Sequence, residues 1–311
     1  MTNIKVFSGS SNLPLAKKIT EQLGITLGEV TISRQQSGEI YVSYDESLRN
    51  CDVFLVQSLS HPVNEHLVEL LIMMDAAKRA SAKTINIVMP YYGYARQERK
   101  SAPREPISAK MVADVLTTAG ANRIITIDLH ADPIQGFFEI TVDHLTALDT
   151  IIDYLRSKNI VNPVVVSPDA GRATVAEKLA GLIDCPFAIM IKNRPAHNQS
   201  EITHIIGEVE GMTPIIIEDL IDTGSTIVNV VEALKKRGAH NAYICATHGL
   251  FSGNAVQKLD HPNIEEIVIT DTINHEGEYT DKFVVLPMSP LIGTAIKIIT
   301  EGGSIATLFK S

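Results

Sequence analysis

Cysteine is scarce: Cys51, Cys185 and Cys245 are the only three in 311 residues. They are too few and too scattered for a disulfide framework or a zinc site, so reduced and mostly buried thiols are expected. No apolar run approaches the ~20 residues that a bilayer span requires, and the opening MTNIKVFSGS lacks the charged segment and long apolar core of a secretory leader. A cytoplasmic protein without membrane attachment is therefore expected. Positive charge is also short, with 27 Lys and Arg against 36 Asp and Glu for a net charge of −9, which argues against a nucleic-acid partner. No Walker lysine motif occurs, so ATP, if used, is not held by a P-loop. No low-complexity linker interrupts the chain.

What is present suits an α/β enzyme of two domains. With 45% hydrophobic residues the chain can bury a sizeable core. Helix Ser108 to Ala119, Gly120, strand Arg123 to Asp128 and His130 recur 118 residues later as helix Thr226 to Arg237, Gly238, strand Asn241 to Ala246 and His248. Strands are also expected at Lys5 to Phe7, Asp52 to Gln57, Thr84 to Met89, Pro163 to Ser167, Phe187 to Ile191, Pro214 to Ile217 and Glu265 to Thr270. Helices are expected at Leu13 to Leu23, Asn64 to Arg79 and Thr174 to Ala180. Such alternation implies parallel sheets covered by helices, with sites at the carboxyl ends of the strands. The border falls near residues 145 to 150, giving domains 1–146 and 147–311.

The most informative segment is Ile215 to Thr226, IIIEDLIDTGST. A buried apolar strand ends in two acids, Glu218 and Asp219, and then in the turn Asp222-Thr223-Gly224-Ser225-Thr226, which opens a helix. Unpaired N–H groups and the positive helix end favour an anion such as phosphate. Two carboxylates at the strand end can accept hydrogen bonds from vicinal sugar hydroxyls, directly or through a metal and water. Together they read as a ribose-5-phosphate grip. An ordinary strand-turn-helix connection would explain the turn but not the acid pair.

Other loops point the same way. Ala95 to Pro106 carries Arg96, Arg99, Lys100 and Arg104 on an acidic protein, which suits a nucleotide phosphate, although a solvated charged loop explains it equally well. SPDAGR places Asp169, Gly171 and Arg172 where a turn could hold metal-bound diphosphate. KNRPAHNQS has Lys192 and Arg194 on alternate positions and no apolar anchor, as a closing loop would; two such cations can neutralise a transferring phosphoryl group. Taken singly they read as surface charges. In IDLHADPIQGFF, Asp128 and His130 sit two residues apart and could share a divalent ion, with a structural histidine as the commoner outcome.

The ordered segments FSGSSNLPLAKKI, NEHLVELLIMMDAAKRASAKTINIVMPYYGYARQERK, PREPISAK, IDLHADPIQGFF, VDHL, SPDAG, KNRP, IIGEVEG and IIIEDLIDTGST resemble ribose-phosphate pyrophosphokinase, also called phosphoribosyl diphosphate synthetase, over essentially the whole chain. The resemblance implies two tandem phosphoribosyltransferase-type domains and a reaction that moves the diphosphoryl group of ATP to the anomeric hydroxyl of ribose 5-phosphate, releasing AMP for nucleotide biosynthesis. It implies Mg²⁺ and a homo-oligomer, a hexamer whose interfaces shape the ATP and allosteric sites. On this chain the family's roles fall on Ser37, Gly38, Glu39, Arg96, Gln97 and Arg99 for ATP. His130 and Asp169 match the metal positions, and Lys192 and Arg194 the catalytic lid. The ribose 5-phosphate site matches Arg194, Glu218, Asp219, Asp222, Thr223, Gly224, Ser225 and Thr226.

Some positions depart from the family. Its members read R-F-S-D-G-E where this chain has Arg34-Gln35-Gln36-Ser37-Gly38-Glu39, losing a ring and an acid that meet the adenine of a neighbouring subunit's ATP. Its D-x-G-G-V-x-R becomes Asp169 to Val175 with Arg172 for Gly and Val175 for Arg, and Ala102 replaces a basic residue. Arg172 could then supply by side chain the charge lost at Val175. These departures keep open a second reading, a catalytically weak paralogue that regulates an active synthetase.

Overall fold

A computed structural model of the chain describes residues 3–196, 199–275, 277 and 279–309, with the side chains of 192–196 and 199–203 outside that description. The chain divides into two compact units. One takes in the residues up to Thr146 together with Asp271–His275 and Pro287 onward; the other comprises Ala147–Thr270 and Glu276–Leu286.

In the first unit the order is β1 (Ile4–Ser8), α1 (Leu13–Leu23), β2 (Val30–Arg34), β3 (Ile40–Tyr44), β4 (Asp52–Val56), α2 (Val63–Arg79), β5 (Thr84–Val88), α3 (Ser108–Ala119), β6 (Arg123–Ile127) and β7 (Thr141–Leu145). Five strands form one sheet in the order β1-β4-β5-β6-β7, and every pair in it is parallel. Val53, Phe54, Leu55 and Val56 are all buried without alternation, as a strand covered on both faces requires. β2 and β3 stand apart as an antiparallel ribbon. Asn12 caps α1, its Oδ1 accepting from Leu15 N–H at 3.2 Å, and Pro14 sits in the first turn.

The second unit continues with α4 (Leu148–Ser157), β8 (Pro163–Ser167), α5 (Ala173–Ile183), β9 (Phe187–Ala196), β10 (Gln199–Ile206), β11 (Thr213–Ile221), α6 (Ser225–Lys236), β12 (Ala242–Gly249), α7 (Ala255–Leu259), β13 (Ile264–Thr270) and β14 (Phe283–Leu286). Its sheet runs β10-β9-β8-β11-β12-β13-β14. β9 and β10 pair antiparallel, and the other neighbours are parallel. The last helix, α8 (Ser289–Glu301), returns to the first unit and packs on α1. Contact is close there, since a Cβ on Gly293 would stand 2.9 Å from Gln22 Cβ.

The expected α/β class with parallel sheets and helices is what the structure shows. The repeat is also visible: α3 and α6 are followed by Gly120 and Gly238, both at positive φ, and then by β6 and β12. It breaks at the histidines, because His130 is exposed while His248 is buried within β12. Residues 271–275 and 287 onward, which the sequence places with the C-terminal domain, lie in the first unit. Asn12 Nδ2 donates to the Asp271 carbonyl at 2.9 Å and Ser58 Oγ to that of Thr272 at 2.6 Å, ties invisible to local patterning. Among the described residues no helix is long and apolar enough to cross a membrane.

Candidate active-site loops

β11 is longer than its apolar run suggests. It extends to Ile221 because Glu218 pairs in register with Ala246, Leu220 with His248 and Ile221 with Gly249 of β12. Glu218 and Asp219 therefore belong to the carboxyl end of a strand and are fixed by its ladder. Beyond it, Leu250 N–H donates to Ile221 O at 2.7 Å and Ser252 N–H to Asp222 O at 3.0 Å, which clamps the turn from outside. Gly224 is the N-cap of α6 at φ 72°, a conformation that costs an L residue about 1 kcal/mol or more. Thr223, Ser225 and Thr226 are exposed. Hydroxyls and the leading N–H groups of a twelve-residue helix are thereby gathered at one end of β11, the arrangement an anion needs.

β8 pairs with β11 in parallel, which brings its own terminal loop beside the acids. Asp169 caps a short 3-10 turn, Ala170–Arg172, its Oδ1 accepting from Gly171 N–H at 3.0 Å. Arg172 then reaches the strand end: its Nη2 lies 2.6 Å from Asp219 Oδ1, with side chains only 19% and 6% exposed. That nitrogen makes no aligned hydrogen bond, so the contact is held by charge and proximity. The sequence offers Arg172 to a substrate phosphate; in the structure it is paired with Asp219.

The polar segment after Ile191 is not a loop. It forms the antiparallel arm of β9 and β10, with Lys192 opposite Ile202 and Asn193 opposite Glu201. An antiparallel pair can form outside a core because its backbone bonds do not depend on apolar side chains. The side chains of Lys192 and Arg194 lie outside the described residues.

In the first unit, Arg96 and Gln97 occupy a short 3-10 helix, Ala95–Gln97, entered through Tyr94 at φ 65°. Gln97 Oε1 accepts from Ser108 Oγ at 2.6 Å, anchoring the loop to α3. Arg99 Nε lies 3.4 Å from Glu98 Oε1 and is exposed. A cavity of about 730 Å³ opens here, lined by His61, Glu65, Tyr91, Tyr94, Arg96 and Gln97, a volume within the usual range for small-molecule sites of about 300–1,000 Å³. Ser37, Gly38 and Glu39 lie elsewhere, on the exposed tip of the β2–β3 ribbon, where Ser37 Oγ donates to Glu39 Oε2 at 2.7 Å.

His130 is exposed on the loop after β6. The residue supporting that loop is His144 in β7, which patterning does not single out. Its Nε2 accepts from Leu129 N–H at 2.9 Å, and Asp132 Oδ1 lies 3.8 Å from its Nδ1. Burial lowers the His144 pKa below the usual histidine value, against the opposing pull of Asp128 and Asp132. The neutral ring thus serves as a fixed acceptor. Among the described residues no cluster of three or more His, Cys, Asp or Glu is arranged to hold a metal.

A family profile described as the N-terminal domain of ribose phosphate pyrophosphokinase matches residues 4–120, and one described as the phosphoribosyl synthetase-associated domain matches residues 167–310. A ribose-phosphate pyrophosphokinase of Fusobacterium nucleatum is 52% identical over 311 residues, covering 99% of this chain and 98% of that protein. One from Bacillus cereus is 50% identical over 310 residues with the same shares, and one from Bacillus subtilis 48% identical over 309. The crystal structure of phosphoribosylpyrophosphate synthetase from Mycobacterium smegmatis superposes with a TM-score of 0.91 at 41% identity, covering 97% of this chain and 100% of that one.

Proposed function

Since the chain belongs to the ribose-phosphate pyrophosphokinase family, we propose a division of its loops between the two substrates of the reaction. The enzyme transfers the diphosphoryl group of ATP to the anomeric hydroxyl of ribose 5-phosphate, giving 5-phosphoribosyl 1-diphosphate and AMP. The anomeric oxygen bonds to the β-phosphorus, the bond between that phosphorus and the α-phosphate oxygen breaks, and the hydroxyl proton is lost. The relatives carry the enzyme's name over their full length, and nothing in them favours a regulatory subunit.

The observation that carries the division is the end of β11: two fixed carboxylates followed by a turn that gathers N–H groups and hydroxyls. Glu218 and Asp219 take the sugar hydroxyls, and Asp222 to Thr226 take the 5-phosphate. Arg96, Gln97 and Arg99 bind the ATP phosphates. Ser37, Gly38 and Glu39 meet the adenine of a neighbouring subunit, which requires the homohexamer we infer. Lys192 and Arg194 are assigned to supply charge where it develops on the transferring group, and Arg194 is assigned to ribose 5-phosphate as well.

Mg²⁺ is the metal we propose. One imidazole and one carboxylate, His130 and Asp169, with no closed cluster around either among the described residues, suit an ion that keeps waters and arrives on nucleotide phosphates. When bound it neutralises phosphate charge and orients the oxygens. A cytoplasmic location, where both substrates are available, belongs to the same proposal.

Phosphorus NMR of purified protein with Mg²⁺, ATP and ribose 5-phosphate tests the reaction. AMP and a diphosphate ester should rise in equal amounts; ADP with a sugar bisphosphate, or AMP with free diphosphate and no ester, would contradict it.

A further inference from the structure

The turn after β11 has a neighbour that no sequence motif announces. α7 lies against it, and Leu259, fully buried, fits so closely that a Cβ on Gly224 would stand 3.1 Å from Leu259 Cγ and 3.5 Å from Ala255 O. This packing fixes the preceding residue, Lys258, over the turn. Its Nζ donates to Ser225 Oγ at 3.0 Å and lies 3.5 Å from Thr223 O.

Charge decides what the lysine is for. A phosphate monoester carries roughly −1.5 to −2 at neutral pH, and the helix end offers only about +0.5. The turn's own ionisable side chain is Asp222, which has the wrong sign. An ammonium has three donors and no acceptor, so Lys258 can hold Ser225 and Thr223 in place while turning a donor and a full positive charge toward an anion.

We propose that Lys258 is a binding residue for the 5-phosphate of ribose 5-phosphate, contributed by α7 from outside the sugar-phosphate motif. The proposal rests on the reading of Asp222 to Thr226 as the phosphate turn, so its test separates the two.

Lys258→Met keeps the packing stem and removes the charge. The KM for ribose 5-phosphate should rise about tenfold or more, with kcat and the KM for ATP within about twofold, as loss of one charge-assisted contact to a single substrate requires. Binding of unphosphorylated ribose, measured by competition, should be unchanged. Thr226→Ala is run alongside to test the turn itself. If Thr226→Ala weakens ribose 5-phosphate and Lys258→Met does not, the turn reading stands and the role of Lys258 is overturned. If neither variant affects ribose 5-phosphate, the turn reading falls and takes this proposal with it. Equal weakening of ribose and ribose 5-phosphate by Lys258→Met would make the lysine a packing element and also overturn it.

Discussion

Arg172 Nη2 stands 2.6 Å from Asp219 Oδ1 and ties the loop after β8 to the end of β11. Removing one partner of a largely buried pair leaves the other charge unsatisfied, whereas removing both does not. A double-mutant cycle on Arg172→Met and Asp219→Asn should therefore be strongly non-additive in urea unfolding. A coupling of about 1–3 kcal/mol is expected, discounted from a fully buried pair because the guanidinium retains some solvent. Additive effects would mean that the two side chains do not interact.

Gly224→Ala should damage the phosphate turn selectively. The backbone there is left-handed, and the new methyl would meet Leu259 Cγ at 3.1 Å. A rise of about tenfold in the KM for ribose 5-phosphate is expected, with a smaller change for ATP. Steady-state kinetics with each substrate varied would show it; an unchanged KM would mean that the turn tolerates both the methyl and the strain.

Acid should loosen the first unit through His144. Its folded pKa is lowered by burial, so below the unfolded value of about 6.5 the unfolded chain binds a proton that the folded chain resists. This contribution to stability is full above that value and is lost as pH falls through and below it. Urea midpoints at about pH 7.5 and about pH 5.5 should differ more in the parent than in His144→Asn, which keeps a neutral side chain. An identical shift in both proteins would assign the pH dependence to other groups.

Lys192→Ala should lower kcat by about 10²-fold or more with little change in either KM, if the lysine neutralises charge that appears mainly in the transition state. A loss confined to KM would make it a substrate-binding residue.

Much of this architecture can be read from the sequence where local chemistry dictates it. Asn12, Pro14 and Gly24 bracket α1, and the run from Ile215 to Thr226 announces both acids and turn. The β2–β3 ribbon escaped because each strand is only five residues long and its inward Val30, Ile32 and Val42 are only partly buried, too short and weak an alternation to stand out. The β9–β10 arm reads as a loop because KNRPAHNQS is polar and carries no apolar anchor. α8 joins the first unit through packing on α1 and bonds around Asp271 and Thr272, which no window of sequence contains. Arg172 and Lys258 acquire their partners only when β8, β11 and α7 are brought together.

One kinetic comparison tests the division of the two substrates between the loops most directly. Arg96→Ala, in the first unit, should raise the KM for ATP by about tenfold or more and leave ribose 5-phosphate within about twofold. Thr223→Val, in the second, should do the reverse. Both variants weakening both substrates equally, or Thr223→Val acting on ATP alone, would contradict the assignment.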